Sequence, residues 1–188
     1  MPRKTLFLIS ALASTLALAA SDPEQLAAEA RAKVKPFMSA LKGELKKAMK
    51  AGGPAQAVSV CKEKAPEIAA NLSKEMGWEL GRTALRYRNP NNAPDTWERK
   101  VLERFEKEKA AGADVKTLEH YEIVEQDGQR VFRYMKAIPT GGICLECHGE
   151  QLKPEVAAKL DALYPGDQAR GFKPGDIRGA FTFRKILN

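Results

Sequence analysis

The chain has 188 residues, 44% of them hydrophobic, and a net charge of +7. That is enough for one domain with a core and excludes disorder as the state of the whole chain. Its charges are mixed in runs such as ELKKAMK and WERKVLERFEKEKAAG, the mark of solvated helix faces, and no basic patch on a recognisable fold points to nucleic acid as a partner.

Residues 1–19 read as a secretory signal peptide. Arg3 and Lys4 precede an apolar run from Leu6 to Leu18, and Ala17-Leu18-Ala19 supplies a small-residue cleavage pattern. The run is shorter than the roughly 20 residues that span a bilayer. The expectation is an exported, periplasmic protein with a single domain over 20–188, associated with a membrane only if the segment stays uncleaved.

The elements follow in order. Residues 22–50 predict a long helix, capped by Asp22 with Pro23 in the first turn and Gln25 completing a capping box. Leu26, Ala30, Val34, Phe37, Leu41 and Leu45 form its apolar stripe. Pro36 should kink it, and Gly52-Gly53 should end it. A second helix starts at Pro54, bends or breaks at Pro66 and closes at Gly77. Its apolar face includes Val58, Cys61, Ala65, Ile68 and Leu72, so Cys61 is expected to point inward.

Alternation over 78–90 predicts a strand, with Arg82, Ala84, Arg86 and Arg88 on one side. Asp95 and Glu98 make a capping box for a helix to about Ala111. TLEHYEIVEQDGQRVFRYMKAIP reads as a hairpin turning at Asp127-Gly128. A Gly-rich segment over 141–150, a short helix from Pro154 to Leu163, a Gly/Pro-dense loop and a terminal strand complete the chain. The class is α+β, with helices packed on a small antiparallel sheet.

One motif carries chemistry. Cys144-Leu145-Glu146-Cys147-His148 is C-x-x-C-H, the attachment pattern of a c-type haem. Two thiols a short loop apart can add to the two vinyl groups on one porphyrin edge, and the next histidine then falls beneath the ring as the proximal iron ligand. Gly141, Gly142 and Gly149 let the backbone lie close to the macrocycle. Two alternatives stand beside this one. Cys61, Cys144, Cys147 and His148 could form a Cys₃His zinc site, though Cys61 lacks a close partner cysteine. A thioredoxin-like dithiol would follow a strand and open a helix in a βαβ unit, whereas a Gly-rich stretch precedes this pair.

Spacing leaves the second iron ligand open among His120, Met76, Met135, Met38, Met49 and Cys61. His120 also reads as a hairpin-edge histidine, the methionines as core fillers and Cys61 as a small buried hydrophobe. Arg82 and Arg86 are candidate partners for the haem propionates, because Arg suits carboxylates. Arg88 reads as a solvated or ion-paired residue.

Four stretches, VCKEKAPEIA, GRTALRYRNPNNAPDTWE, CLECHG and YPGDQARGFKPGDIRGAF, together resemble a small haem-binding domain with a PAS-like fold, found alone or joined to bacterial signalling proteins. The resemblance covers most of residues 25–185. It implies a single covalent haem c, a PAS-like antiparallel sheet with a long N-terminal helix, and iron held by histidine and cysteine. Carried over, His148 is the proximal ligand and Cys61 the distal one. A thiolate stabilises Fe(III) and lowers the reduction potential, where Met raises it. The expected function is a haem-based redox or diatomic-gas sensor. A periplasmic electron carrier is the alternative. A peroxidase is less well supported, because the sequence offers few polar residues for an open distal site.

Overall fold

A computed structural model describes residues 22–187 of the chain. The expected signal peptide, 1–19, lies outside the described residues. Asp22 starts the first helix by accepting from the Glu24 amide at 3.0 Å, with Pro23 in the first turn. Helix α1, Pro23–Met76, has two arms, 23–51 and 54–76. Gly52 and Gly53 leave helical dihedrals between them, and Gly53 takes φ 70°, a conformation open to glycine without steric cost. Gly77, at φ 65°, caps the second arm. Both breaks fall where the sequence predicts them. Pro36 and Pro66 do not break the helix: only the two glycines depart from helical φ/ψ. Buried Phe37 and Ala65, their neighbours, anchor the arms against the hydrogen bond each proline forfeits.

The arms lie against each other. Leu26, Ala27, Ala30 and Phe37 of the first share one cluster with Ile68, Ala69, Leu72 and Met76 of the second. That cluster covers one face of a four-stranded sheet. Its strands are β1 (Glu79–Thr83), β2 (Glu119–Gln126), β3 (Gln129–Pro139) and β4 (Ile177–Leu187), in the order β1-β4-β3-β2, with every pair antiparallel. Cross-strand partners share a face, so Leu80, Phe183, Tyr134 and Tyr121 form one row toward α1. The next row, with Met135, faces α2 (Thr96–Ala110), where Met135, Ala137 and Ala180 meet Val101, Leu102 and Phe105. β3 is therefore buried on both faces. The β2–β3 hairpin turns at Asp127 (φ 53°) and Gly128 (φ 73°), the tight turn the sequence predicts. Asp95 and Glu98 complete the capping box of α2.

Two short helices, α3 (Gly142–His148) and α4 (Pro154–Leu163), pack against α1. The architecture is α+β with a long N-terminal helix and an antiparallel sheet, consistent with a PAS-like fold. No helix among the described residues is long and apolar enough to cross a membrane.

Two expectations need correction. The strand predicted over 78–90 ends at Thr83. The Ala84 amide donates to the Asn92 carbonyl at 3.2 Å, and Asn89 caps a 3₁₀ turn, Pro90–Asn92, so the chain leaves the sheet. Arg82, Arg86 and Arg88 thus do not share a strand face; Arg82 alone is on the strand. The 141–150 segment contains a helix, α3. Seven residues are too few to show a 3.6-residue period, and the flanking glycines read as loop.

Candidate functional site

The C-x-x-C-H motif forms α3. Cys144 and Cys147 stand one turn apart on it, so their side chains project to the same side. The helix ends in a hydrogen bond from the Gly149 amide to the Leu145 carbonyl at 2.9 Å. A Cβ on Gly149 would sit 2.7 Å from that carbonyl oxygen, while Gly141 and Gly142 face open space. Only Gly149 of the three is required by a close approach within the fold.

Cys147 packs into a third cluster with Val58, Leu160 and Tyr164, and its Sγ lies 3.8 Å from the Pro54 carbonyl. Burial pushes its thiol up to about 11. The pair does follow a strand, β3, and lies in a helix, as a thioredoxin-like dithiol would. The sheet, however, is antiparallel and offers no βαβ unit.

His148, at the end of α3, is held on two sides. Its Nδ1 lies 2.7 Å from the Ala169 carbonyl oxygen, and Arg178 Nε donates to its Nε2 at 3.3 Å. The carbonyl can only accept, so the proton is on Nδ1 and Nε2 carries the lone pair. Burial, then the charges of Arg178 and Arg88, hold its pKa well below the usual histidine range. Nε2 thus carries the lone pair that a metal would take, and Arg178 donates to it here.

The loop after α4 fixes this arrangement. The Gly171 amide donates to the Gly149 carbonyl and the Phe172 amide to the His148 carbonyl, both at 2.9 Å. The Phe172 ring meets the His148 ring edge-on. Asp167, 2% exposed, accepts from Arg88 Nε at 3.0 Å, Arg170 Nε at 2.8 Å and the Ala169 amide at 2.9 Å. Arg88 in turn donates to the Cys147 carbonyl at 2.6 Å and the Ala169 carbonyl at 3.1 Å. Arg88 is thus a structural tie, ion-paired but not solvated.

Cys61 lies on the second arm of α1. It does not point into a packed core as expected; its residue surface is exposed. Yet its surroundings are dense enough that burial raises its thiol pKa, partly offset by the charges of Arg82 and Arg88. The start of the second arm packs against α3, with Cys147 Sγ 3.8 Å from the Pro54 carbonyl. All three cysteines are free thiols.

Arg82 makes no hydrogen bond or ion pair from its side chain to a described residue, and burial pulls its pKa down. It shares a sheet face with its partner Phe181, which packs on Phe37 of α1. Arg86 is drawn elsewhere: its guanidinium lies 4.3 Å from the Phe172 ring centroid, and its Nε donates to the Gln168 carbonyl at 3.2 Å.

A family model described as Tll0287-like matches residues 17–185. The chain belongs to the Tll0287-like family. Its structure is similar to the crystal structure of the cyanobacterial heme-protein Tll0287, with a TM-score of 0.67 and 23% identity, covering 89% of this chain and 98% of that one. No curated protein matches the chain.

The remaining candidate ligands of this Tll0287-like chain lie elsewhere. His120 pairs with Met135 in the register and faces α2, where it stacks on Trp97 at 5.8 Å and meets Arg104 at 3.1 Å. That is the opposite face of the sheet from Arg82. Met135 is fully buried on the same far side, while Met38 and Met76 fill the cluster between the α1 arms. Met49 is half-buried on the first arm. Among the described residues no group of three or more His, Cys, Asp and Glu side chains is gathered to hold a metal ion, so the zinc alternative has no ready ligand set.

Four contributors escaped the sequence reading: Asp167, Ala169, Phe172 and Arg178. All lie in the Gly/Pro-dense loop or at the start of β4. Ala169 acts through its backbone and leaves no sequence signal. Arg178 carries a faint one, a cation between Ile177 and Gly179 at the buried, small-residue start of β4.

Proposed function

We propose that this protein carries one covalent haem c on Cys144 and Cys147, with His148 as proximal and Cys61 as distal iron ligand. The observation that carries the reading is the His148 ring, whose Nδ1 donates to Ala169 at 2.7 Å and so leaves Nε2 as a ligand at the end of a C-x-x-C helix. The surrounding residues fit the group. Two thiols lie one turn apart, a third faces them from α1, and Arg82 offers an uncompensated charge suited to a propionate. Similarity to a cyanobacterial heme-protein supports the same reading.

When bound, haem supplies a one-electron centre that can also take a diatomic gas. The residues set its terms. Ala169 and Phe172 orient His148. Cys61 contributes a thiolate, whose charge favours Fe(III) and a low reduction potential. Arg82 and Arg88 stabilise that thiolate. On reduction a negative ligand would be held less tightly, and Cys61, by taking up a proton, would make way for CO or NO. The function is that of an exported redox or gas sensor, a binding module rather than an enzyme, with residues 1–19 as its export signal.

Absorption spectra of periplasmically produced wild type and Cys61→Ser, oxidised and reduced, test this. Wild type should show a Soret band, the ferric mutant spectrum should differ, and the ferrous protein should bind CO. Without a Soret band the haem assignment fails. Coincident ferric spectra remove Cys61 as a ligand.

A further inference from the structure

Arg178 Nε lies 3.3 Å from His148 Nε2, and Arg88 donates to the Ala169 carbonyl that also accepts from His148 Nδ1. Arg82 adds a third guanidinium on the sheet face that it shares with Phe181. The three arginines come from different parts of the chain: β1, the loop that follows it and the start of β4. One carboxylate among the described residues balances them. Asp167 pairs with Arg88 at 3.0 Å, and that pair is closed inside the loop. Arg82 and Arg178 form no ion pair with a described residue. Arg178 is half-buried. It donates to His148 Nε2 at 3.3 Å and to the Arg86 carbonyl at 3.3 Å, and lies 5.4 Å from the Phe172 ring centroid. Cations without an ion-pair partner are costly in a partly buried site; the Cys61 thiolate would offset part of that charge, and an anionic ligand would supply the rest.

We propose that Arg178 is a cofactor-binding residue, and that it and Arg82 each receive one of the two haem propionates. The inference rests on the haem reading above and adds to it a residue and a charge balance. Two unpaired arginines match two carboxylates, and the guanidinium fork suits each of them. Arg178 also has a second role. Where it meets Nε2, it donates to the lone pair that iron would need and so favours the tautomer with the proton on Nδ1. When Nε2 binds iron, the freed Arg178 fork turns to a propionate. Arg178 therefore links the proximal ligand to the propionate edge. Arg86 also lacks an ion pair with a described residue, but its guanidinium packs at 4.3 Å on Phe172 and does not reach His148, whereas Arg178 does.

The test uses the holoprotein. Arg178→Gln and Arg82→Gln are compared with wild type and with Arg104→Gln, which makes the same charge change on an exposed residue of α2. The readouts are the reduction potential and the propionate-bending bands in the resonance Raman spectrum. Loss of a partly buried cation should shift the iron equilibrium about tenfold toward Fe(III), or ~59 mV for one electron. The propionate bands should move in Arg178→Gln and Arg82→Gln and stay in place in Arg104→Gln. If wild type and Arg178→Gln agree in potential and bands, the inference is overturned and the haem assignment stands. If wild type has no Soret band, both fall. Should Arg178→Gln fail to accumulate, Arg178→Lys is read instead. It keeps the charge but loses the fork, so the bands should move while the potential stays close to wild type; unmoved bands overturn the inference.

Discussion

Asp167→Asn should be among the most damaging single changes in the loop that holds the site. Asp167 is 2% exposed and Arg88 11%, so solvent screens their bond weakly. The amide keeps the shape of the carboxylate and removes its charge, leaving Arg88 enclosed without a counter-ion. Breaking a buried pair from one side costs about 3–5 kcal/mol. For a chain of this size that lowers the unfolding midpoint by roughly 10 °C. The damage should be local before it is global. Asp167 also fixes the Ala169 amide and Arg170, so amide hydrogen exchange should lose protection first at Gly171 and Phe172, which donate to the carbonyls of Gly149 and His148. Replacing both partners, with Arg88→Met added, should recover part of the loss, because no bare charge remains. Thermal unfolding and hydrogen exchange on the full chain decide the matter. A loss under about 1 kcal/mol, with Gly171 and Phe172 as protected as in wild type, would refute the argument that this pair anchors the site.

Gly149→Ala should cost about 1–3 kcal/mol in chemical denaturation, because its Cβ would meet the Leu145 carbonyl at 2.7 Å, whereas Gly142→Ala, with open space around it, should stay within about 0.5 kcal/mol. Equal effects would show that the close approach is not what selects glycine at position 149. His120→Ala should leave the ferric spectrum unchanged and lose about 0.5–1.5 kcal/mol of stacking on Trp97; a changed spectrum would return His120 to the list of ligands. Acid should destabilise the fold. Burial would raise Asp167, Glu119 and Asp176, but hydrogen bonds from Arg170 and Arg88, from Arg31 and Tyr134, and from Lys109 hold them below the ordinary carboxylate range. Depressed carboxylates add stability above their unfolded pKa and lose it as pH falls through the folded value, so the midpoint should drop between about pH 5 and pH 2. A flat midpoint over that range would contradict these assignments.

The sequence was most readable where one residue acts through its own local chemistry. Asp22, Asp95 with Glu98, Gly53, Gly77 and Asp127-Gly128 each determine a cap or a turn within a few residues, and all sit where their side chains or φ angles demand. C-x-x-C-H was readable for the same reason. Reading failed where the third dimension intervenes. The alternation of Arg82, Arg86 and Arg88 suggested one strand face, but hydrogen bonding to Asn92 bends the chain away after Thr83 and sends the three guanidinia to different environments. Cys61 kept helical register with core residues, yet its residue surface is exposed instead of packed.

The same distinction separates the two kinds of residue in the site. Those that would touch the cofactor chemically, Cys144, Cys147 and His148, are contiguous, because thioether geometry requires it. Those that set its charge come from sequence positions as distant as Cys61, Arg82 and Arg178. They meet only because β1 and β4 are neighbours in the sheet while α1 folds back at Gly52-Gly53 and brings its second arm across from α3. Charge balance must therefore be read from the folded chain. Asp167 neutralises Arg88 there, while Arg82 and Arg178 form no ion pair with a described residue and leave positive charge that the Cys61 thiolate and an anionic ligand would balance.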